Sequence, residues 1–363
     1  MSYKELFPKR LISDFNFEKL PALVFFGLLL FLTVLRNGLN IHGSLFFEFQ
    51  NFTQGSILPS ESYRSKGSLW LAFILEKLGG LFGGYAYFTV YTLFLILLLF
   101  AIHLELNLLD KTCVRVFWIM ISLSPAVTIV LSRFGTLDAF CLIPSILGAI
   151  TKSRIRALIY ASLFLGVNPE GALIAGLCFL LIQFSTSDIR LASHFRDARI
   201  YFSLFLTTGS IILVVFSFLD SHGGSVVKSI FLDDSRNAFA QDLASGLLIP
   251  ISWFGSLWVI LISIILRFSK PHRQFVVLII VGIGLLTMIA SDGTRNSALA
   301  FTFLIFAWLA DGRFILLLKD LDKRWLILLF FIPPINVSNF NLLLPFHDAL
   351  YFFGVAIPFT LTA

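Results

Sequence analysis

Long apolar runs separated by short polar stretches follow one another along the whole chain. A helix needs about 20 apolar residues to cross a bilayer, because each backbone N–H and C=O in hydrocarbon must be satisfied within its own segment. The pattern predicts spanning helices at Leu20–Leu35, Tyr85–Leu104, Val114–Ser132, Tyr201–Leu219, Leu247–Leu266 and Phe275–Ala290. Shorter membrane segments are predicted at Ala139–Ile150, Ser297–Ala310, Trp325–Pro334 and Leu350–Leu361.

One further apolar stretch, Ala157–Phe184, is interrupted by the polar residues 168–171. It fits either one kinked helix or a hairpin of two short helices. With the N-terminus inside and a hairpin at this point, 19 of the 27 Lys and Arg residues fall on the cytoplasmic side, as the positive-inside rule requires. A kink would move most of the later basic residues outside, so the charge pattern predicts the hairpin.

Residues 37–84 are predicted to form a long first external loop. Within this loop, Ser68–Gly84 is a short apolar run with Glu76 and Lys77 at its middle, a pattern typical of an interfacial helix. The predicted fold class is therefore all-α. We expect one integral membrane domain over residues 1–363, a polytopic transmembrane helical bundle of about twelve membrane segments, several of them short.

Composition supports a membrane protein. Apolar residues make up 58% of the chain and charged residues 13%, whereas a soluble domain carries roughly 25% charged residues. The net charge of +6 fits basic cytoplasmic loops, and we expect no nucleic-acid partner. The first nineteen residues are polar and mixed, and no small-residue cleavage site follows, so Leu20–Leu35 is expected to be a retained signal anchor.

Several polar turns fall on the non-cytoplasmic side in this topology. Two of them pair an arginine with an aspartate: Arg133 with Asp138, and Asp292 with Arg295. A charge between apolar runs is costly unless it is paired or faces water, so the turns predict one cavity open to the outside. Each turn also fits a salt-bridged helix cap, and that alternative stays open.

Metal and cofactor sites have little support in the sequence. The three cysteines and six histidines show neither ligand spacing nor a disulfide pattern. The pair Asp233-Asp234 fits a solvated acidic turn, although two adjacent carboxylates can also bind a divalent cation. No other cofactor is predicted.

The arrangement resembles the GT-C class of integral membrane glycosyltransferases, which use polyprenyl-phosphate-linked sugars. In that class a long external loop with interfacial helices follows the first transmembrane helix, as 37–84 does here. Ser124–Phe140 is similar to the segment in which a proline-bearing helix leads to an external Arg/Gly/Asp turn. Ser291–Phe301 resembles the Asp-x-Thr-Arg turns of bacterial polysaccharide polymerase-like membrane proteins.

The resemblance implies a role for each candidate residue. Glu48 is expected to take the proton from the acceptor hydroxyl, with Asp138 as the second candidate; the class usually places an aspartate in this loop, which here has none. Arginine grips phosphate bidentately, so it suits the leaving group. The implied substrate-binding residues are Arg64, Arg133, Asp292 and Arg295, with Asp292 orienting Arg295 or the acceptor.

The function implied is transfer of a sugar from a polyprenyl-phosphate-linked donor to a glycan or lipid acceptor on the non-cytoplasmic face. The localisation expected is the bacterial inner (plasma) membrane, with the N-terminus in the cytoplasm and membrane lipids around the protein. Two alternatives stay open. A transporter or flippase would place its ionisable groups near the midplane. A non-catalytic subunit of a membrane complex would need no polar cavity.

Overall fold

The computed structural model describes residues 20–37, 89–106, 111–132, 138–186, 197–219, 254–266, 270–288, 293–310, 326, 328–332, 337–338 and 341–342. The helices are α1 (Ala22–Asn37), α2 (Thr89–Leu106), α3 (Lys111–Leu123), α4 (Pro125–Ser132), α5 (Ala139–Ile150), α6 (Arg154–Leu165), α7 (Pro169–Thr186), α8 (Ala198–Leu219), α9 (Trp258–Ile265), α10 (Lys270–Met288) and α11 (Gly293–Ala310). Two 3-10 turns, Gly255–Leu257 and Leu329–Phe331, and an antiparallel strand pair, β1 (Val337–Ser338) and β2 (Asn341–Leu342), complete the described part. The all-α prediction is confirmed there, apart from this four-residue strand pair.

Two helices form the centre of the bundle. Every residue of α5 is buried, and so is every residue of α11 from Ala298 to Ala307. Helix α11 packs against α4, α5, α7 and α10, while α8 lies along α6 and α7. Three buried phenyl rings stack where α7, α8 and α11 meet: the ring centre of Phe179 lies 3.9 Å from that of Phe303 and 5.9 Å from that of Phe202. Aromatic packing therefore joins the central helix to its neighbours.

Small residues let α7 and α8 approach closely. A Cβ atom at Gly176 would lie 2.5 Å from Oγ1 and 3.0 Å from the backbone nitrogen of Thr207. Glycine at such a point allows helix backbones to touch, as is common between membrane helices. Gly148 of α5 has the same role against the Phe202 ring, where a Cβ atom would come within 2.6 Å.

The predicted single span Val114–Ser132 is wrong in one respect, because it is two helices. Helices α3 and α4 meet at Ser124 and are bent by 59°. Proline disfavours helical geometry in the residue before it and is favoured as the first residue of a helix, so Pro125 begins α4. The buried Ser124 hydroxyl donates a 2.7 Å hydrogen bond to the Ile121 carbonyl and so satisfies a group at the end of α3.

The predicted break in Ala157–Phe184 is present. Helix α6 ends at Leu165 and α7 begins at Pro169. The Oδ1 atom of Asn168 accepts a 2.8 Å hydrogen bond from the Gly171 N–H, and proline follows as the first helical residue. This is ordinary N-capping, so Asn168 has a structural task at the break.

Three other predicted boundaries are corrected. Helix α1 continues to Asn37, the residue at which the external loop was expected to begin. Helix α11 begins at Gly293, so Arg295 lies in its first turn and not in a loop. The described part of Leu247–Leu266 holds a 3-10 turn followed by the eight-residue helix α9. The predicted interfacial helix at Ser68–Gly84 and the run Leu350–Leu361 lie outside the described residues.

Among the described helices, α2 is long and apolar enough to cross a membrane unaided, and the bent pair α3–α4 also qualifies if it is counted as one span. Only 28% of α2 is buried inside the protein. The core helix of a soluble protein would be mostly buried, so α2 presents an apolar face to its surroundings.

Candidate functional site

The predicted site residues are only partly described. Asp138 directly precedes α5, and its backbone carbonyl accepts hydrogen bonds from the N–H groups of Cys141 (3.0 Å) and Leu142 (2.9 Å). Its side chain makes no capping hydrogen bond to the helix, so the simple N-cap interpretation does not hold. Arg295 lies at the start of α11, and α11 packs against α5. Outside the described residues lie Glu48, Arg64, Arg133 and Asp292, together with the acidic pair Asp233-Asp234.

The most connected polar group in the described part lies at the end of α1. We call it the Arg36 cluster; it comprises the side chains of Thr33, Arg36, Asn37, Thr128 and Ser256 and the carbonyl of Ile332. These side chains are 2–6% exposed. The cluster is therefore buried. It joins α1 and α4 to the two 3-10 turns, Gly255–Leu257 and Leu329–Phe331.

Arg36 donates three hydrogen bonds within this cluster. Its Nε bonds the Ile332 carbonyl at 3.0 Å, its Nη2 bonds the Ser256 hydroxyl at 3.1 Å, and its Nη1 bonds the Asn37 Oδ1 at 3.5 Å. All three acceptors are uncharged. No carboxylate in the described ranges forms a salt bridge with Arg36, which is 5% exposed.

Asn37 is held in place from two sides. Its Nδ2 donates to the Thr33 carbonyl at 2.8 Å, and its Oδ1 accepts a 2.7 Å hydrogen bond from the Thr128 hydroxyl. The same Oδ1 accepts from Arg36. The amide orientation is therefore fixed by its neighbours, and the guanidinium plane is fixed in turn.

Gly255 lies next to this guanidinium. It has a left-handed backbone (φ 52°), and, apart from its chain neighbours, the described atom nearest to a Cβ there would be Arg36 Nη2, at 4.0 Å. A guanidinium has five N–H donors, of which the described hydrogen bonds use three. The cluster thus holds a buried, permanently charged cation with two N–H donors that no described hydrogen bond uses. An anion with several oxygen atoms satisfies both the charge and the donors.

A second buried polar group surrounds Glu105 at the end of α2. Its Oε1 accepts from the Thr151 hydroxyl at 3.0 Å and the Tyr160 hydroxyl at 3.2 Å, and forms a 3.0 Å salt bridge with Arg156. The Glu105 side chain is 2% exposed and that of Arg156 is 45% exposed. Here the Glu105 carboxylate is paired with the Arg156 guanidinium, so a structural role, the connection of α2 to α6, accounts for this group.

Sequence reasoning missed the Arg36 cluster. Arg36 lies between the predicted helix Leu20–Leu35 and the predicted loop 37–84, and no role was predicted for it. Its partners Ser256 and Ile332 lie 220 and 296 residues further along the chain. The available signal was an arginine and an asparagine in the last helical turn of a span, where a buried charge requires partners.

Comparison with known proteins does not identify the site. The chain matches no protein-family model, no curated protein and no solved structure. Within the described residues, no group of three or more His, Cys, Asp or Glu side chains is placed to hold a metal ion.

Proposed function

We propose that this chain is a multi-pass integral membrane protein that transfers a sugar from a polyprenyl-phosphate-linked donor to a glycan or lipid acceptor on the non-cytoplasmic face. The observation that carries the proposal is the buried Arg36 guanidinium, which has only uncharged partners in the described part. An anionic ligand would balance such a cation, and the guanidinium fork matches the geometry of phosphate oxygens.

Apolar outer faces support the membrane part of the proposal. Leu30 of α1, Leu97 of α2 and Leu278 of α10 are 65%, 62% and 69% exposed, and other large apolar side chains surround each of them. Contiguous apolar surface of this kind is rare on soluble monomers. Lipid around these faces would remove them from water, and about twelve membrane segments would then form one bundle.

The polar contacts also support the predicted topology, because they sort into two sets. Four contacts join residues that the topology places near the cytoplasmic face: Arg115 with the Leu20 carbonyl, Glu105 with Arg156, Arg154 with the Tyr201 ring, and Arg199 with the Ala307 carbonyl. The Arg36 cluster joins residues at the opposite, outer ends of three predicted segments (Arg36, Thr128 and Ile332) with Ser256 from the middle of Leu247–Leu266. Reversal of a segment that contributes an end residue would have paired residues from opposite faces.

The proposed transfer requires one group for the leaving phosphate and profits from another for the acceptor hydroxyl. Transfer needs a group that holds the departing polyprenyl phosphate, and arginines at the outer end suit that role. It also profits from a carboxylate that removes the acceptor proton, for which Glu48 and Asp138 are the candidates. Arg64, Arg133 and Arg295 would share the phosphate or the sugar, with Asp292 positioning Arg295 or the acceptor.

The test is the identity of the lipids that stay bound when the protein is gently purified from its native membrane. Mass spectrometry is expected to find a polyprenyl phosphate or its sugar conjugate enriched over its share of the membrane. Recovery of bulk phospholipid alone would contradict the donor assignment and favour a transporter or a non-catalytic subunit. The Arg295→Lys variant adds an activity test, since Lys cannot form the bidentate grip, and normal product formation would remove Arg295 from the site.

A further inference from the structure

We infer that Arg36 is the anchor of a phosphate-binding site, in which its spare N–H donors face an anion beside Gly255. The inference deepens the proposed function, on which the polyprenyl part of the ligand rests. The ligand recognised here is a phosphate group, carried by a lipid or present as free inorganic phosphate.

Arg36 is a buried cation that has no counter-charge among the described residues. Burial of an unpaired cation costs several kcal/mol, by an order-of-magnitude estimate, and proteins offset this with a counter-charge. Two other arginines in the described part have a carboxylate partner. Arg199 forms an ion pair with both carboxylate oxygens of Asp197, and Arg156 pairs with Glu105. Arg36 is more buried than either, and its acceptors among the described residues are all neutral.

The Arg36 side chain is held in one position by its neighbours. The Ile332 carbonyl, the Ser256 hydroxyl and the Asn37 amide hold Arg36 at three of its nitrogen atoms, so the side chain is fixed before any ligand arrives. A fixed guanidinium loses little conformational entropy when it binds, which raises affinity. The 3.5 Å contact from Nη1 to Asn37 is the longest of the three and the easiest for a phosphate oxygen to replace.

Gly255 lies beside the guanidinium. It has the backbone conformation that favours glycine, and, apart from its own chain neighbours, the described atom nearest to a Cβ there is Arg36 Nη2, at 4.0 Å. A side chain at residue 255 would therefore contact Nη2. Glycine keeps this side of the guanidinium free of a residue-255 side chain, and we place the ligand there.

The experiment measures thermal stabilisation of the detergent-purified full chain by farnesyl phosphate, by farnesol and by inorganic phosphate. We expect farnesyl phosphate to stabilise the protein and farnesol to have no effect. In Arg36→Gln, the apparent affinity for farnesyl phosphate should fall by at least about tenfold, which corresponds to about 1.4 kcal/mol. Arg36→Lys keeps the charge and should lose a smaller part, and it replaces Arg36→Gln if that variant does not fold.

Two matched controls separate ligand binding from a structural role. Arg115→Gln removes a part-buried arginine that bonds the Leu20 carbonyl, so it should leave the farnesyl phosphate response unchanged. Ser256→Ala removes an acceptor from Arg36 but no charge, and should change the affinity less than threefold or so. Equal stabilisation of wild type and Arg36→Gln by farnesyl phosphate would overturn the inference.

The outcomes also distinguish the inference from the proposed function. Arg36-dependent stabilisation by inorganic phosphate, without added benefit from the farnesyl chain, would support the anion site and contradict a lipid-linked donor. Retention of a polyprenyl phosphate by the Arg36→Gln variant at the wild-type level would keep the proposed function and reject Arg36 as the anchor.

Discussion

The Thr128 hydroxyl donates a 2.7 Å hydrogen bond to the Oδ1 of Asn37, and this bond joins the helix after the Ser124 bend to the last residue of α1. The same oxygen accepts from Arg36. The bend therefore has a consequence for the candidate site: it directs α4 so that its threonine reaches the group that positions the arginine.

Removal of this bond should destabilise the protein, and the effects of substitutions at Asn37 and Thr128 should not be additive. Asn37→Ala and Thr128→Val are each expected to lower the free energy of unfolding by about 1–2 kcal/mol. The first removes the acceptor that the Thr128 hydroxyl and Arg36 share, and the second leaves the Asn37 Oδ1 with the longer Arg36 contact. The interaction energy from a double-mutant cycle should be about 1 kcal/mol. Unfolding of the purified protein by detergent titration provides the measurement.

The control for this cycle is Thr208→Val. The Thr208 side chain is exposed, and its hydroxyl bonds the Leu204 carbonyl within its own helix. The substitution should cost less than about 0.5 kcal/mol. Strict additivity of the Asn37 and Thr128 losses would show that the two side chains do not interact.

The Glu105 group predicts a different pattern. Arg156→Gln removes the cation from a buried carboxylate and should cost about 1–2 kcal/mol, reduced from a fully buried pair because Arg156 is half-exposed. In the Glu105→Gln background the same change should cost almost nothing, since no charge is left to neutralise. Equal losses in both backgrounds, measured by the same detergent titration, would argue that the salt bridge does not contribute.

Local sequence predicts some elements here almost to the residue. Ala139–Ile150 was expected as an apolar segment and is a helix with those bounds, because Asp138 and the polar residues from Thr151 limit the apolar run at both ends. The Asn168-Pro169 break follows the same logic, since a capping side chain and a proline define a helix start locally. These boundaries depend on neighbours within four residues.

The site could not be predicted in the same way. Hydropathy cannot show the 59° bend, because residues on both sides of Ser124 are apolar and proline is tolerated within membrane helices. No role was predicted for Arg36, because it falls between the predicted helix, which ends at Leu35, and the predicted loop, which begins at residue 37. Its burial depends on Ser256 and Ile332, more than 200 residues away, and no local pattern encodes such a contact.

Close approach of α7 and α8 gives a packing prediction. Gly176→Ala should lower the free energy of unfolding by about 1–3 kcal/mol, because its Cβ would meet the Thr207 backbone and the helices would have to separate. Gly27→Ala is the matched control, since a Cβ there meets nothing within 4 Å, and it should be neutral or stabilise by up to about 1 kcal/mol. A neutral Gly176→Ala would contradict the close packing.

The proposed topology can be tested by labelling single cysteines in a background that lacks Cys113, Cys141 and Cys178. Ser221→Cys lies in the loop expected outside, and Ser193→Cys lies in the basic loop expected inside. A membrane-impermeant maleimide applied to intact cells should label the first and spare the second, and lysis should expose the second. Both positions depend on the break at Asn168, because two helices there return the chain to the cytoplasm whereas one kinked span would not. The reverse labelling pattern would therefore replace the hairpin by a single crossing and place Arg199 and the Ala307 carbonyl on the outer side. It would also move the predicted site residue Arg295 to the cytoplasmic face, away from the side on which the transfer is proposed to occur.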